Sequence, residues 1–232
     1  MKDDCIIVLG SGSNKIPDIE VKEIYSSNGS AELGALYKKK YSDVTHTCVI
    51  SARSFLKLDH VKPRVVRANP DKILIRDFEE ITYNLVKNLF DQSVEFTKFT
   101  RLEQFSFQKN FFNSGILDLL KAEASYEDNI LKKIIHFYKF YFSNDFLGVS
   151  SGFYSILYAI KKHPDKKIIV SGISFEGGSH YYSSGMMSLN RGRVDNYLIK
   201  NLKSNIKSKI FVLDKNLSNK FGLNYLDLKL LI

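Results

Sequence analysis

The chain has 232 residues, of which 44% are hydrophobic and 25% are charged, proportions that are typical of globular proteins. They exclude a disordered chain, a collagen-like chain and a disulfide-rich scaffold. The 34 Lys and Arg residues outnumber the 25 Asp and Glu residues, which gives a formal net charge of +9. A positive surface attracts anions, so we expect as partner a nucleic acid, a nucleotide-activated small molecule, or a phosphorylated glycolipid or membrane surface. The length predicts one domain over residues 1–232.

The amino-terminal region carries no pattern typical of a signal peptide or a membrane span. Residues 5–9 are apolar, but Gly10 follows them at once. This run is shorter than a signal-peptide core, and no other run approaches the roughly 18 apolar residues of a transmembrane helix. We therefore expect a cytoplasmic protein that is at most peripheral at the inner membrane. Cys5 and Cys48 lie in apolar runs, and we expect both to be buried, reduced thiols.

Short apolar runs recur along the chain and predict β-strands that are covered on both faces. These runs are residues 5–9, 23–25, 47–50, 72–75, 167–170 and 209–213. Between them, apolar residues recur at helical spacing in 78–90, 130–141, 151–162 and 194–202. The alternation predicts an α/β fold, a Rossmann-like and mostly parallel sheet flanked by helices. Residues 91–144 are rich in aromatic residues, and we expect them to form a helical lid or insertion.

A glycine-rich turn, Gly-Ser-Gly-Ser-Asn, follows the first predicted strand at residues 10–14. Ligands of parallel sheets bind beyond the carboxyl ends of the strands, and glycine amides there can hold a phosphate. We expect the turn to lead into a helix. Lys15 stands where the dinucleotide fingerprint has its third glycine, and residues 25–29 provide no acid for a ribose. These two differences disfavour an NAD enzyme.

Two later segments carry polar residues next to predicted strands and helices. Residues 150–152, Ser-Ser-Gly, precede an amphipathic helix, where one serine fits an N-cap and both hydroxyls fit an anion site. The loop at 174–185 is polar, aromatic and rich in glycine, and packing alone does not explain it. Tyr181 and Tyr182 are candidate donors to a leaving phosphate, and His180 is a candidate base. The other four histidines are expected to be structural or solvated.

Several common catalytic motifs are absent from the sequence. It contains no P-loop, no zinc-type spacing of Cys and His, and no nucleophile elbow. No Asp-x-Asp follows a predicted strand, so a metal-bridged sugar-diphosphate mechanism lacks its usual ligands. A phosphate leaving group would then be stabilised by hydroxyls, amides and basic side chains.

Several segments, taken in order, resemble bacterial sialyltransferases of glycosyltransferase family 42. Residues 150–154, Ser-Ser-Gly-Phe-Tyr, and 169–175, Ile-Val-Ser-Gly-Ile-Ser-Phe, resemble that family's Ser-Ser-Gly turn, helix and "SGIDF" strand end. Residues 10–13 resemble its "GNGPS" turn, 27–28 its "CN" turn, and 51–55 its "NPSxF" turn. The resemblance is sparse but collinear from about residue 5 to 222, and the order of the motifs is more specific than any one of them.

The resemblance implies a variant of the GT-A glycosyltransferase fold, a CMP-activated donor such as CMP-sialic acid, and a reaction without metal or other cofactor. Tyr181 or Tyr182 matches a tyrosine that stabilises the departing CMP phosphate. The donor-binding residues implied by the resemblance, with their neighbours in the same turns, are Gly10, Ser11, Gly12, Ser13, Asn28, Ser51, Ser150, Ser151, Gly152 and Ser174.

The chain departs from the family pattern at residues that matter for catalysis. Arg193 stands where the family has a general-base histidine, and arginine stays protonated. Ser174 replaces the aspartate of "SGID", and Glu176 replaces a second tyrosine. Either His180 or Asp195 then deprotonates the acceptor, or the donor or acceptor differs, or the chain is catalytically degenerate. His180 is preferred as base, with Arg193 as a clamp on the phosphate or the donor carboxylate.

The leading hypothesis is a CMP-sugar-dependent glycosyltransferase that moves sialic acid or Kdo to lipopolysaccharide, lipooligosaccharide or capsule in a bacterium. The alternatives are another α/β enzyme that binds a nucleotide or phosphate, and a non-catalytic module that binds anions or nucleic acid. Nucleic acid is disfavoured because no recognised binding motif occurs and the lysines are scattered. Residues 38–40, all lysine, and the aromatic stretch 136–142 are candidate membrane contacts, although the stretch also fits a core helix. An oligomer is compatible with the sequence.

Overall fold

A computed structural model describes residues 3–12, 15–76, 80–127, 129–142, 148–176, 179–180, 183–186 and 189–227. Within these ranges, eight strands form one parallel sheet, in the order β10-β9-β6-β1-β2-β3-β4-β5. Two further strands, β7 and β8, pair with each other in an antiparallel ribbon. The strands are β1 (Cys5–Leu9), β2 (Glu23–Ser27), β3 (Thr45–Ser51), β4 (Lys72–Arg76), β5 (Glu95–Phe99), β6 (Lys167–Ser171), β7 (Ser179–His180), β8 (Ser183–Met186), β9 (Ile210–Val212) and β10 (Asn224–Tyr225).

Helices cover both faces of the sheet. They are α1 (Ala31–Lys40), α2 (Ala52–Lys57), α3 (Lys62–Ala68), α4 (Glu80–Lys87), α5 (Arg101–Gln108), α6 (Ile116–Ala124), α7 (Ile130–Phe142), α8 (Ser151–Lys162), α9 (Leu189–Lys200), α10 (Ser204–Lys207) and α11 (Lys215–Phe221). Helix α8 begins at the N-cap Ser150, whose hydroxyl accepts the Phe153 amide, and ends in two lysines that suit a helix carboxyl terminus. The predicted α/β fold is therefore confirmed.

The alternation of side chains along β1 divides the core into two layers. Ile6 and Val8 pack in one cluster with α8, α9 and the buried residues of α6. Cys5, Ile7 and Leu9 pack on the opposite face with Leu33 and Tyr37 of α1, and α2, α3 and α4 cover the same face further along the sheet. A continuous apolar run was readable in the sequence because both faces of the strand are buried.

Two predictions about the elements were wrong in part. No helix lies between β1 and β2 in the described residues, since residues 15–22 have no regular secondary structure and insert Ile19 and Val21 into the core. The 91–144 segment is not wholly helical, because it begins with β5, which pairs with β4 at the edge of the sheet. Both free cysteines are buried as predicted, and burial raises the pKa of the Cys48 thiol to about 12. None of the helices in the described ranges is long and apolar enough to cross a membrane.

Candidate functional site

The loops after β1 and β6 meet at the edge of the sheet where the parallel strands end, here called the carboxyl edge. The Gly10 amide donates to the Ser171 carbonyl, and the Gly12 amide donates to the Gly172 carbonyl, each at 2.7 Å. These two amides are therefore occupied and do not form the predicted phosphate cradle. They extend the backbone hydrogen bonding between β1 and β6 beyond the ends of the two strands.

Gly10 is required by the close approach of these two loops. A Cβ at Gly10 would lie 2.2 Å from the Gly172 carbonyl oxygen and 2.3 Å from Cγ1 of Ile173. Both distances are far below van der Waals contact. The glycine pattern that suggested an anion site is thus explained at Gly10 by backbone packing.

Asn28 and Ser51 are brought together at the ends of β2 and β3, as the predicted donor site requires. The Ser51 amide donates to Asn28 Oδ1 at 3.2 Å. Asn28 has a φ of 49°, a left-handed conformation that non-glycine residues adopt rarely and that is frequent at functional sites. The Ser30 hydroxyl, which donates to the Leu9 carbonyl at 2.8 Å, ties this turn to the end of β1.

Residues 148–150, called the lead-in segment, run into the amino terminus of α8 and are held by buried side chains. Gln108 of α5 accepts the Val149 amide at 3.0 Å. Asp195 of α9 accepts the Ser150 amide through Oδ1 at 2.8 Å. Arg191, also on α9, donates to the Gly148 carbonyl. The position of the α8 amino terminus is therefore fixed by the neighbouring helices and not by its own turn alone.

Arg76, which the sequence analysis missed, completes the support of the lead-in segment. It ends β4, is 2% exposed, and donates to the Val149 carbonyl at 3.0 Å and to Gln104 Oε1 at 2.9 Å. Its guanidinium lies 4.3 Å from the ring centre of Tyr154, a favourable cation–π distance. The sequence did contain a signal for Arg76, since it is a charged residue directly after the apolar run 72–75. A residue at the end of a parallel strand lies at the carboxyl edge.

Asp195 is fully buried in this network. Burial raises the pKa of its carboxyl group to about 6. The hydrogen bond from Ser150 and the nearby guanidinium groups of Arg191 and Arg76 lower this pKa, but their effect is smaller than that of burial. Its Oδ2 has no hydrogen-bond partner among the described residues. Because the carboxyl group is fully buried and accepts the Ser150 amide, its geometry fits a positioning residue better than the alternative general base that the sequence offered beside His180.

The first turn of α8 carries the predicted residues Ser151 and Gly152 at the carboxyl edge. Ser151 is buried, and its carbonyl accepts the Ser155 hydroxyl at 2.9 Å. Gly152 faces Ile173, since a Cβ there would lie at an ordinary contact distance of 3.5 Å. The Phe153 amide donates to the Ser150 hydroxyl, but the amides of Ser151 and Gly152 have no partner within the helix, so these two can donate to an anion.

Arg193 lies on the other side of α9 from Asp195 and is exposed. It lines a groove of about 360 Å³, together with Ser125, Glu176, Gly192, Asn196, Tyr197 and Lys200. In this groove, Asn196 Nδ2 donates to Glu176 Oε1 at 3.0 Å, and Lys220 Nζ lies 2.5 Å from the same oxygen. Ser174, also a predicted site residue, accepts the Glu176 amide at 3.3 Å. The groove thus opens beside the loop that follows β6.

Three predicted residues, Ser13, Tyr181 and Tyr182, lie outside the described residues. Of His180 only the backbone is described, in β7, where it pairs with Ser183 of β8. The roles predicted for these four residues stay predictions.

His46 is structural, as predicted. It is fully buried, and its Nε2 lies 2.7 Å from the Ser26 hydroxyl. Burial lowers the pKa of its imidazole to about 3, so the ring is neutral at physiological pH. A Cβ at Gly34 would lie 2.3 Å from this ring, so the glycine makes room for it. No group of three or more His, Cys, Asp or Glu side chains in the described ranges is arranged to hold a metal ion.

Comparison of the chain with protein-family models, curated proteins and solved structures returned no match. The resemblance to family 42 sialyltransferases therefore rests on the short motifs in the sequence alone.

Proposed function

We propose that the chain is a metal-independent glycosyltransferase that transfers an acidic sugar, sialic acid or Kdo, from a CMP-sugar donor to a bacterial surface glycan. One observation carries the proposal. The described parts of the matched segments, after β1, β2, β3 and β6 and at the start of α8, lie at one edge of a single parallel sheet. Ligands of this fold class bind at that edge.

The residues at the carboxyl edge suit a nucleotide donor. Asn28 and Ser51, which lie side by side at the ends of β2 and β3, offer polar groups, and the first turn of α8 offers amides to a phosphate. The net charge of +9 favours an anionic donor such as a CMP-sugar. Arg193, in the groove beside the loop after β6, is in a position to pair with the donor carboxylate or phosphate.

In the proposed reaction an acceptor hydroxyl attacks the anomeric carbon of the donor sugar. The new bond joins the acceptor oxygen to that carbon, the bond to the CMP phosphate breaks, and CMP leaves with the bonding electron pair. His180 takes the acceptor proton, since an imidazole is a suitable base near neutral pH. Tyr181 and Tyr182 donate hydrogen bonds to the leaving phosphate. Asp195 acts through the lead-in segment and not on the acceptor.

Donor turnover tests these roles. The protein is incubated with CMP-sialic acid and, separately, with CMP-Kdo, and the release of CMP is followed. We expect Tyr181→Phe combined with Tyr182→Phe to slow release about 10²-fold, and His180→Ala to slow transfer to an acceptor about 10²–10⁴-fold. Tyr41→Phe, which follows α1 in the opposite layer of helices, is the matched control and should keep the wild-type rate. Wild-type rates in the test variants would remove these residues from the mechanism, and turnover of neither donor would contradict the proposed function.

A further inference from the structure

Helix α7 presents an apolar face that no element in the described ranges covers. Ile130, Leu131, Ile134, Ile135 and Tyr138 are 73%, 67%, 61%, 53% and 64% exposed. Their spacing places them on one side of the helix, since residues three and four apart are neighbours on a helix surface. These five residues are called the apolar face of α7. Clustered exposure of this kind is unusual in a monomer and marks an interaction surface.

The charged residues of α7 itself are all basic. The 13-residue helix contains Lys132, Lys133 and Lys139 and no Asp or Glu. Lys132 and Lys133 make no ion pair with any residue in the described ranges. On α6, against which α7 packs, the acidic residues Asp118 and Glu123 are only 3% and 1% exposed. The surface that surrounds the apolar face therefore carries positive charge without neighbouring carboxylates from these two helices.

We propose that the apolar face of α7 binds the surface of an anionic phospholipid membrane. An amphipathic helix that is rich in aliphatic and aromatic residues and flanked by lysines lies in the plane of the interface, with its apolar side among the acyl chains and its lysines near the phosphates. Thirteen residues span about 20 Å as an α-helix, which suits a helix lying on a bilayer and is too short for one that crosses it.

The charge favours a lipid surface over a second copy of the chain. Symmetric pairing of two α7 helices would bring the lysines of both copies together, with no exposed acid on α6 or α7 to compensate. Anionic headgroups compensate the lysines directly, and the net charge of +9 adds attraction at longer range. A lipid surface thus satisfies both the apolar and the charged part of this region.

The lysines at 38–40 do not belong to this surface. Lys38 pairs with Asp71, and Lys40 pairs with Asp18. Helix α1, which carries them, packs on the opposite face of the sheet from α6. The two candidate membrane contacts of the sequence therefore face different ways. Of the two helices, α7 has five exposed apolar residues, whereas α1 has one, Leu36.

Sedimentation of the full chain with lipid vesicles tests the proposal, and the result does not depend on the proposed enzymatic function. We expect the protein to sediment with phosphatidylcholine vesicles that contain phosphatidylglycerol, to bind pure phosphatidylcholine weakly, and to be released as salt is raised. The variant Leu131→Glu with Ile134→Glu should bind at least about tenfold more weakly. Replacing Lys132 and Lys133 by Glu should remove the preference for the anionic vesicles.

The control variant changes two leucines that are about half exposed and lie on helices of the opposite layer. Leu36 on α1 and Leu85 on α4 are 51% and 54% exposed, and Leu36→Glu with Leu85→Glu should bind vesicles as the wild type does. Circular dichroism checks that each variant is folded. Absence of sedimentation with anionic vesicles, or equal loss in the α7 and control variants, would overturn the proposal. A dimer in analytical ultracentrifugation that the α7 variant dissociates, without vesicle binding, would assign the face to a second copy instead.

Discussion

The carboxyl group of Asp195 gives the fold a pH dependence of defined sign. Its pKa in the folded chain is about 6 because of burial, whereas an unfolded Asp has a pKa of about 3.9. Folding therefore favours the protonated form of this group. The stabilisation is complete below the unfolded pKa and is lost as the pH rises through the folded pKa.

We expect the free energy of unfolding of the wild type to fall relative to that of Asp195→Asn as the pH rises from about 4 to about 7, by on the order of 2–3 kcal/mol. The asparagine keeps an oxygen for the Ser150 amide and does not titrate. Urea unfolding of both proteins across this pH range measures the difference. Asp43→Asn, which changes an exposed carboxyl group, is the control and should show no such trend. A difference between wild type and Asp195→Asn that does not vary with pH would show that Asp195 does not titrate in this range.

Gly10 gives a second prediction at the scale of a single residue. In Gly10→Ala the new methyl group would lie 2.2 Å from the Gly172 carbonyl oxygen, so the loops after β1 and β6 must separate. We expect a loss of about 2–3 kcal/mol in the free energy of unfolding. Gly152→Ala is the matched control, because its methyl group would sit 3.5 Å from Ile173 and alanine is favoured in a helix. Equal melting temperatures for the two variants would contradict the close approach at Gly10.

Among the elements, β4 supports α8 through Arg76, which reaches the lead-in segment across 73 residues of sequence. Arg76→Leu would remove the donor to the Val149 carbonyl and to Gln104 Oε1, and both of these acceptors are buried. We expect a loss on the order of 3 kcal/mol or more in the free energy of unfolding.

Arg67→Leu, an exposed position on α3, is the control for Arg76→Leu and should cost less than about 0.5 kcal/mol. Thermal and urea unfolding of both variants decide the comparison. An Arg76 variant as stable as the Arg67 variant would mean that the lead-in segment does not depend on this contact.

The same elements show why part of the fold was predictable from sequence. Strands β1, β3, β4 and β6 were predicted because burial on both faces leaves a continuous apolar run. Strand β5 was missed because it is an edge strand whose Glu95 and Lys98 face solvent, and edge strands commonly carry such charges. The helix predicted after residues 10–14 does not form in the described residues, because the chain uses residues 15–22 to cover the core directly.

The candidate site was predictable only in its position along the chain. The sequence indicated the ends of β1, β2, β3 and β6 and the start of α8, because polar residues follow apolar runs there. It did not indicate that the Gly10 and Gly12 amides pair with the loop after β6, since a glycine-rich turn looks the same whether it binds an anion or another backbone. Arg76 was missed for a related reason: what buries it lies far away in sequence.

On the scale of the whole molecule, we assign different roles to the two layers of helices. The layer with α8 and α9 supports the carboxyl edge and the groove at Arg193, and α6 of the same layer carries α7 with its apolar face. The opposite layer, with α1 to α4, carries the paired lysines Lys38 and Lys40. Donor binding and membrane binding are thus proposed for neighbouring parts of one side of the molecule.

The proposed donor site is tested most directly by calorimetric titration of the full chain with CMP, with a metal chelator present and with UMP and ADP as matched ligands. We expect CMP to bind without metal and more tightly than either control nucleotide. Binding of UMP or ADP in preference to CMP would assign the carboxyl edge to a different nucleotide. Absence of binding by all three would contradict the proposed donor site and leave the α/β fold without this function.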